Sequence, residues 1–407
     1  MDQNLRFLLK TFRKYYKEEG PIMPPRFARR EFGFMFFDKN FMQRHTAFSR
    51  VADLGSMLQS KVPSHCYYST AYYRKPGAPT MEEKEWLGAD LIFDLDADHL
   101  AGAEKMTYSG MLEQIRKEMA NLVDSFLLGD LGFSEEQVQI VFSGGRGYHA
   151  HVDLPDVLTL GTHERREIVD YITVKGLNID WVFPYERTAT STVSMGDGLR
   201  SNVKTYRTIP LPDSGGWRLR MRRAFEELVE DICAMEPSDM RKAYPSLSGV
   251  QAKTLINMRD ELAANREMLF RTNSMVNIRK TTQDRLIDIM QNDVSKRLSG
   301  EVDEPVTADI KRLIRLPGSL HGKTGLRVVP LSRTELDDFD PLTDAVPVQY
   351  SDEPVQITMR RDYDVTIREE RFSLSGTTEV PEYAAVFLIG RKEASIGDGT
   401  APRDGFF

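Results

Sequence analysis

The apolar positions of the chain change period several times. Leu5, Leu8, Leu9, Phe12 and Tyr16 recur at helical intervals, which predicts an amphipathic helix over 4–18, ended by Gly20, Pro21, Pro24 and Pro25. Residues 31–37 and 65–73 are dense in aromatic side chains and predict strands, and Pro76, Gly77 and Pro79 mark a loop. Leu91-Ile-Phe-Asp-Leu-Asp96 predicts another strand, and a helix follows with the stripe Leu112, Ile115, Met119, Leu122, Val123 and Phe126. Two short strands are predicted at 138–142 and 148–152, joined by the tight turn Ser143-Gly144-Gly145-Arg146-Gly147. From 218 to 299 strand signals fade, and Ala224, Leu228 and Ile232, then Leu286, Ile289, Met290 and Val294, keep helical spacing between the breaks at Pro237, Pro245 and Gly249. Strand-like sequence resumes near Ile310 and again at 326–330; the last ~45 residues mix Gly, Pro and charge, and their end is expected to be loose. The pattern is mixed α/β, with a core split into 1–217 and 300–407 by a helical insertion at 218–299. No internal repeat or long low-complexity stretch interrupts it.

Composition narrows the class. The chain has 407 residues, 41% hydrophobic and 28% charged, an ordinary globular balance with length for roughly two or three domains. No run of 18 apolar residues predicts a membrane span, and the first 17 residues lack the apolar core of a signal peptide. Two cysteines, Cys66 and Cys233, build neither a disulfide framework nor a thiolate-rich zinc site, which points to a reducing intracellular compartment, the cytoplasm. The net charge of −7 speaks against coating nucleic acid by bulk charge. The charge is uneven, however. Residues 1–50 hold eleven Lys and Arg against five acids, and 335–354 hold seven acids with no Lys or Arg. Two solvated faces, or one local basic groove, both fit this distribution.

Three stretches carry candidate chemistry. On a strand, Asp94 and Asp96 point to the same face. Two adjacent carboxylates disfavour joint ionisation unless a cation sits between them, and Mg²⁺ takes such oxygen ligands together with substrate phosphates. The plain alternative is a strand end opening to water. In Ser143-Gly144-Gly145-Arg146-Gly147-Tyr148-His149 the glycines let backbone N–H groups approach an anion, Arg146 adds a phosphate-matched fork, and His149 and His151 share a side of the following strand. This is neither a Walker A loop nor a dinucleotide fingerprint, and a simple hairpin turn is its plain reading. The third stretch, 302–325, gathers Asp303, Glu304, Asp309, Lys311, Arg312, Arg315, His321 and Lys323. By itself it reads as a salt-bridged surface; with the other two it offers what nucleotidyl transfer needs, a further carboxylate and cations for a triphosphate.

Taken together, the order Phe93-Asp94-Leu95-Asp96, then Ser143-Gly144-x-x-Gly147-x-His149, then Arg312-Leu-Ile-Arg-Leu-Pro-Gly-Ser-Leu-His321 resembles the catalytic small subunit of archaeal and eukaryotic-type DNA primase. The flanks Arg29-Arg-Glu-Phe-Gly-Phe34 and Lys84-Glu-Trp-Leu-Gly-Ala-Asp-Leu-Ile-Phe93 resemble the archaeal form. The likeness runs over 1–212 and 300–390. It implies a primase-type mixed α/β core of central sheets flanked by helices, and primer synthesis on single-stranded DNA from nucleoside triphosphates, with RNA primers expected and DNA primers open. It further implies a two-metal Mg²⁺ or Mn²⁺ site on Asp94, Asp96 and Asp303, with Asp309 as the alternative third carboxylate. Nucleotide binding falls on Ser143, Gly144, Arg146, His149, Arg315 and His321, with Arg44 near the triphosphate. The partner implied is a large primase subunit carrying an iron–sulfur cluster, in a heterodimer. Many family members place a Cys-rich zinc knuckle after the Asp pair; residues 98–108 hold no cysteine, so no Cys-based zinc site is expected. For the template strand, the basic N-terminal segment and Arg218, Arg220, Arg222 and Arg223 are candidates.

Other readings compete. Phe-Asp-Leu-Asp also resembles the haloacid-dehalogenase phosphatases, but these favour Thr or Val where this chain has Asp98, and they give the Ser143 turn no role. A repair polymerase of the same superfamily, or a primase-like module that binds nucleic acid without catalysis, are the remaining alternatives.

Overall fold

The computed structural model describes residues 2–100, 102–195 and 198–397. It divides into two compact units: one comprises the chain up to Val169 and again from Glu301, the other Asp170–Gly300. In chain order the elements that matter below are α1 (Gln3–Glu18), β1 (Phe32–Met35), β2 (Gln43–Thr46), α2 (Val51–Lys61), β3 (His65–Ser69), β4 (Ala71–Tyr73), β5 (Trp86–Ala89), β6 (Leu91–Asp96), α3 (Tyr108–Asn121), β7 (Val138–Phe142), β8 (Gly147–Val152), β9 (Tyr185–Met195), β10 (Gly198–Arg207), β11 (Leu313–Arg315) and β12 (Val329–Leu331).

The first unit is built on two antiparallel four-stranded sheets, ordered β11-β3-β1-β2 and β12-β7-β8-β6. In the second of these, Leu91, Ile92, Phe93 and Leu95 are buried while Asp94 and Asp96 are half-buried, so the strand enters the core and surfaces only at its acidic end. Register places Asp94 opposite His149 and Asp96 opposite Gly147. Residues directly opposite in an antiparallel pair share a face, so Asp94, Asp96 and His149 stand together. Gly147 is required there: a Cβ would lie 2.3 Å from the Leu95 carbonyl oxygen. On α3, Leu112, Ile115 and Met119 are buried, and the helix continues as a π-helical turn over Leu122–Leu128.

Helix α1 is capped by Asp2, whose carboxylate accepts from the Asn4 amide. It buries Leu8, Phe12, Tyr15 and Tyr16 and leaves Arg6, Lys10, Arg13, Lys14 and Lys17 exposed. The Tyr15 hydroxyl donates to the Gly318 carbonyl at 2.8 Å, and the Tyr16 hydroxyl accepts from the Leu320 amide at 3.2 Å. The helix thereby supports the loop that leads into His321. Beyond β12, strands at Pro354–Met359, Thr377–Pro381 and Ala394–Ile396 make a small sheet, with a hairpin Tyr363–Ile367/Glu370–Leu374 and the buried helix Glu382–Gly390. The end of the chain, expected to be loose, lies outside the described residues at 398–407.

The second unit contains the helices Gly216–Ala234, Ala252–Thr272 and Lys280–Ile289 and also the hairpin β9–β10. The helical stretch expected at 218–299 lies within it. Hydrogen bonds from the Met275 amide to the Arg207 carbonyl, and from the Ile209 amide to the Asn273 carbonyl, tie the foot of the hairpin to the helices.

Candidate active site

The first motif meets the second through strand pairing. His149 Nε2 lies 3.2 Å from Asp94 Oδ1, and the imidazole is buried. One oxygen of Asp96 accepts from the Asp98 amide at 3.1 Å. The third motif reaches the pair through the backbone: the Asp303 amide donates to the Asp94 carbonyl at 2.9 Å. Asp94, Asp96, Glu301 and Asp303 line a small cleft of about 20 Å³ closed by Leu95, Leu100, Ile115 and Val302. Asp309, the alternative third carboxylate, is exposed, and its oxygen accepts from the Lys311 amide. Glu301 was not singled out in the sequence, although its sign and its place two residues before Asp303 were visible.

The turn at 143–147 is organised by its own serine. Ser143 Oγ accepts from the amides of Gly145 and Gly147, both at 3.3 Å, which leaves its own proton free to donate. Gly144 takes φ +76°, open to glycine at little cost, and Tyr108 donates to the Gly145 carbonyl. Arg146 is half-buried and paired with Asp98.

His321 sits against this turn: a Cβ on Gly144 would come within 2.8 Å of the His321 Cβ. Its ring is 4.7 Å, edge to face, from that of His65 on β3. His65 Nδ1 accepts from the Gly322 amide at 3.1 Å. On the neighbouring β11, the Arg315 guanidinium stacks over the Tyr67 ring at 4.5 Å. Burial pulls the Arg315 pKa down; Tyr67, Cys66, Asp94 and Asp96 act in the opposite direction, so both aspartates lie within its electrostatic reach. Sequence reasoning missed His65, Tyr67 and Thr324, since neither spacing nor a motif marks them.

Arg44 stands apart from this group. It lies on β2, at the edge of its sheet opposite β11, and its guanidinium is held by both oxygens of Glu31 at 3.1 and 3.3 Å. Glu31 also meets Lys84 Nζ at 2.8 Å, both side chains fully buried. Burial would raise the Glu31 pKa, but the hydrogen bonds from Lys84, Arg44 and the His45 amide outweigh it and hold the carboxyl below its ordinary value. Of the template candidates in the second unit, Arg222 is turned inward, bound to the Pro210 carbonyl, Asn273 and Glu226, while Arg223 is exposed. Cys66 is buried on β3 with its thiol beside the Tyr16 hydroxyl; burial pushes its pKa up to about 12. Cys233 belongs to the helix Gly216–Ala234 of the other unit.

The donor set around Asp94 is all oxygen apart from His149, which suits a hard divalent cation. Among the described residues no three His, Cys, Asp or Glu side chains already close on a single point.

Comparison with known proteins completes the picture. A family model described as DNA primase small subunit matches residues 93–333. Proteins named DNA primase small subunit PriS are similar over nearly the whole length. That of Methanocella arvoryzae is 41% identical over 404 residues, 97% of this chain and 98% of the relative. That of Methanococcoides burtonii is 40% identical, covering 98% and 100%, and that of Picrophilus torridus is 37% identical, covering 94% and 96%.

Proposed function

The chain belongs to the DNA primase small-subunit family, and on that premise we propose that Asp94, Asp96 and Asp303 form its catalytic centre, with the Ser143–Gly147 turn, His149, Arg315 and His321 as the nucleotide-binding side. It is a nucleotidyltransferase, the catalytic subunit of a DNA primase, which makes primers on single-stranded DNA. The observation that carries the residue assignment is the convergence of three distant motifs: Asp94 bonded to His149, Asp303 bonded to the backbone of Asp94, and His321 packed against the turn that precedes His149.

The reaction joins the 3′-hydroxyl oxygen of one nucleotide to the α-phosphorus of the next and breaks the bond to pyrophosphate, with the hydroxyl proton passing to solvent. Asp94 and Asp96, with Asp303, hold the divalent metals, Mg²⁺ or Mn²⁺, which when bound acidify the attacking hydroxyl and neutralise charge on the leaving group. His149, bonded to Asp94 through Nε2, orients that carboxylate. The Ser143 hydroxyl has a free proton to donate to a phosphate oxygen, and Arg146, Arg315 and His321 supply the cationic side for the triphosphate. Arg315 is preorganised by its stack on Tyr67, so little ordering cost remains when the nucleotide arrives. Arg44, on the opposite edge of the first sheet and already held by Glu31, is the outlying candidate for a contact with the triphosphate.

The partner in this reading is a large primase subunit with an iron–sulfur cluster, and the compartment is the cytoplasm. No described helix is long and apolar enough to cross a membrane. The test is incorporation of labelled ribonucleotides on a single-stranded template by Asp94→Asn and Asp96→Asn. Each is expected to lose about 10²-fold or more in rate while its circular dichroism and unfolding midpoint stay at wild-type values. A folded variant that still primes at near wild-type rate removes the assignment.

A further inference from the structure

We propose that Thr324 is a positioning residue that holds neutral His321 as its Nδ1–H form, so that the protein takes up a proton from solvent when a nucleoside polyphosphate docks on His321. The inference rests on the reading above that His321 contacts the triphosphate.

The hydrogen bonds around Thr324 decide the tautomer. Its hydroxyl has one proton, and that proton is committed: Oγ1 lies 2.6 Å from the Gly144 carbonyl oxygen, which can only accept. The Leu326 amide donates to the same Oγ1 at 3.2 Å. His321 Nδ1 lies 3.2 Å from that oxygen. With the hydroxyl proton spent, the contact is a hydrogen bond only if Nδ1 carries the hydrogen. A neutral imidazole has one N–H, so Nε2 is then a bare lone pair. Nε2 faces the glycine turn, since a Cβ on Gly145 would stand 3.0 Å from it. A bare lone pair repels a phosphate oxygen. The imidazolium alone offers an N–H from Nε2 while keeping Nδ1–H on Thr324.

The surroundings keep the ring neutral until the ligand arrives. Burial first, then Arg315 from β11, His65 from β3, Lys323 from its own loop and Arg146 from the turn hold the His321 pKa well below the ordinary imidazole value. Arg315, Lys323 and Arg146 carry the standing positive charge, and His65 adds to it only when it is protonated too. His65 is itself neutral: its Nδ1 accepts from Gly322, and burial, Arg315 and Lys323 push its pKa down. A polyphosphate placed against this cationic shell reverses the sign of the local field and favours the charged ring. Affinity then falls as pH rises. Between the free and the bound pKa of His321, the dissociation constant rises about tenfold per pH unit.

The test is titration calorimetry of the full-length protein with Mg²⁺–ATP, premixed at saturating Mg²⁺, on an oligothymidylate template near pH 7.5. Two buffers of different protonation enthalpy give the number of protons bound. Wild type is expected to take up about one proton more than His321→Gln, which binds at least about tenfold more weakly. Thr324→Ser keeps the hydroxyl and should match wild type. Thr324→Val removes the fixed acceptor, lets the neutral Nε2–H form face the phosphate, and should take up fewer protons. Equal proton counts for wild type and a weakened His321→Gln overturn the proton uptake and leave the phosphate contact standing. Wild-type affinity in His321→Gln overturns the contact itself. A wild-type count in folded Thr324→Val overturns the role of Thr324; if that variant does not fold, the other three proteins still decide the proton uptake.

Discussion

Gly147 is the position where one added methyl group tests the catalytic geometry most directly. It faces Asp96 across β6 and β8, and a Cβ would sit 2.3 Å from the Leu95 carbonyl oxygen and 3.2 Å from the Asp96 Cα. Both obstacles are backbone, so no side chain can swing away. Relief to an ordinary contact requires the two strands to part by about 1 Å, an overpacking cost of about 1–3 kcal/mol. The same displacement moves Asp96 against Ser143 and His149, and a misplacement of about 1 Å in a catalytic constellation costs about 10²-fold in rate. Gly147→Ala should therefore unfold at lower denaturant by about 1–3 kcal/mol and prime about 10²-fold more slowly under conditions where it is fully folded. Gly55→Ala serves as the control: it lies in α2 with nothing within 4 Å of a Cβ, and should stabilise by about 0.5–1 kcal/mol with no change in activity. Full priming activity in a folded Gly147→Ala protein would refute the dependence of catalysis on the spacing of β6 and β8 at Asp96.

Other consequences follow from side chains around the site. Lys84→Met removes the buried one of the two cations on Glu31 and leaves Arg44, so it should cost about 1–3 kcal/mol by denaturant unfolding; a cost near zero would mean that Arg44 and the His45 amide alone satisfy the carboxylate. Because the Glu31 pKa is depressed on folding, its contribution is present above its unfolded pKa and is lost as pH falls through the lower folded value, so wild type should lose stability on acidification below about pH 4.5 more steeply than the double variant Glu31→Leu/Lys84→Met. The exposed cations of α1 are a candidate path for the template's phosphates. Lys10→Glu, Arg13→Glu and Lys17→Glu together should weaken binding of a single-stranded oligonucleotide and lower the slope of log affinity against log salt by about 0.7 for each phosphate no longer neutralised, whereas an unchanged slope would count against that path.

What the sequence made legible was local and periodic. The Asp94/Asp96 face, the turn at 143–147 and the strands around them follow from alternation and glycine placement, and all three sit where those patterns put them. The hairpin β9–β10 was not legible in the same way, because Thr188-Ala-Thr-Ser-Thr192 has β-propensity without apolar alternation. The aromatic run at 65–73 is two strands, β3 and β4, because Thr70 between them hydrogen-bonds to Arg312 and Asp90 and leaves the ladder. The strand expected at 326–330 begins only at Val329, since Leu326 and Val328 spend their backbone groups on His321, Ser319 and Gly318.

That last exchange explains why the third motif was the hardest to place. Its geometry is set by main-chain bonds, two to segments far away in sequence, Asp303 to Asp94 and Leu316 to Cys66, and two across its own turn, Gly318 to Val328 and His321 to Leu326. Such bonds carry no side-chain signature, so no residue pattern separates Asp303 from Asp309 or draws Thr324 toward Gly144. Once formed, they fix the loop before any nucleotide is present, with Tyr15 and Tyr16 of α1 bracing it from behind. A site whose cations and carboxylates are held by backbone hydrogen bonds needs little reorganisation as charge develops on the phosphates. Substitutions of Tyr15 or Tyr16 should accordingly act on nucleotide binding through His321, although neither ring is among the residues placed at the chemistry.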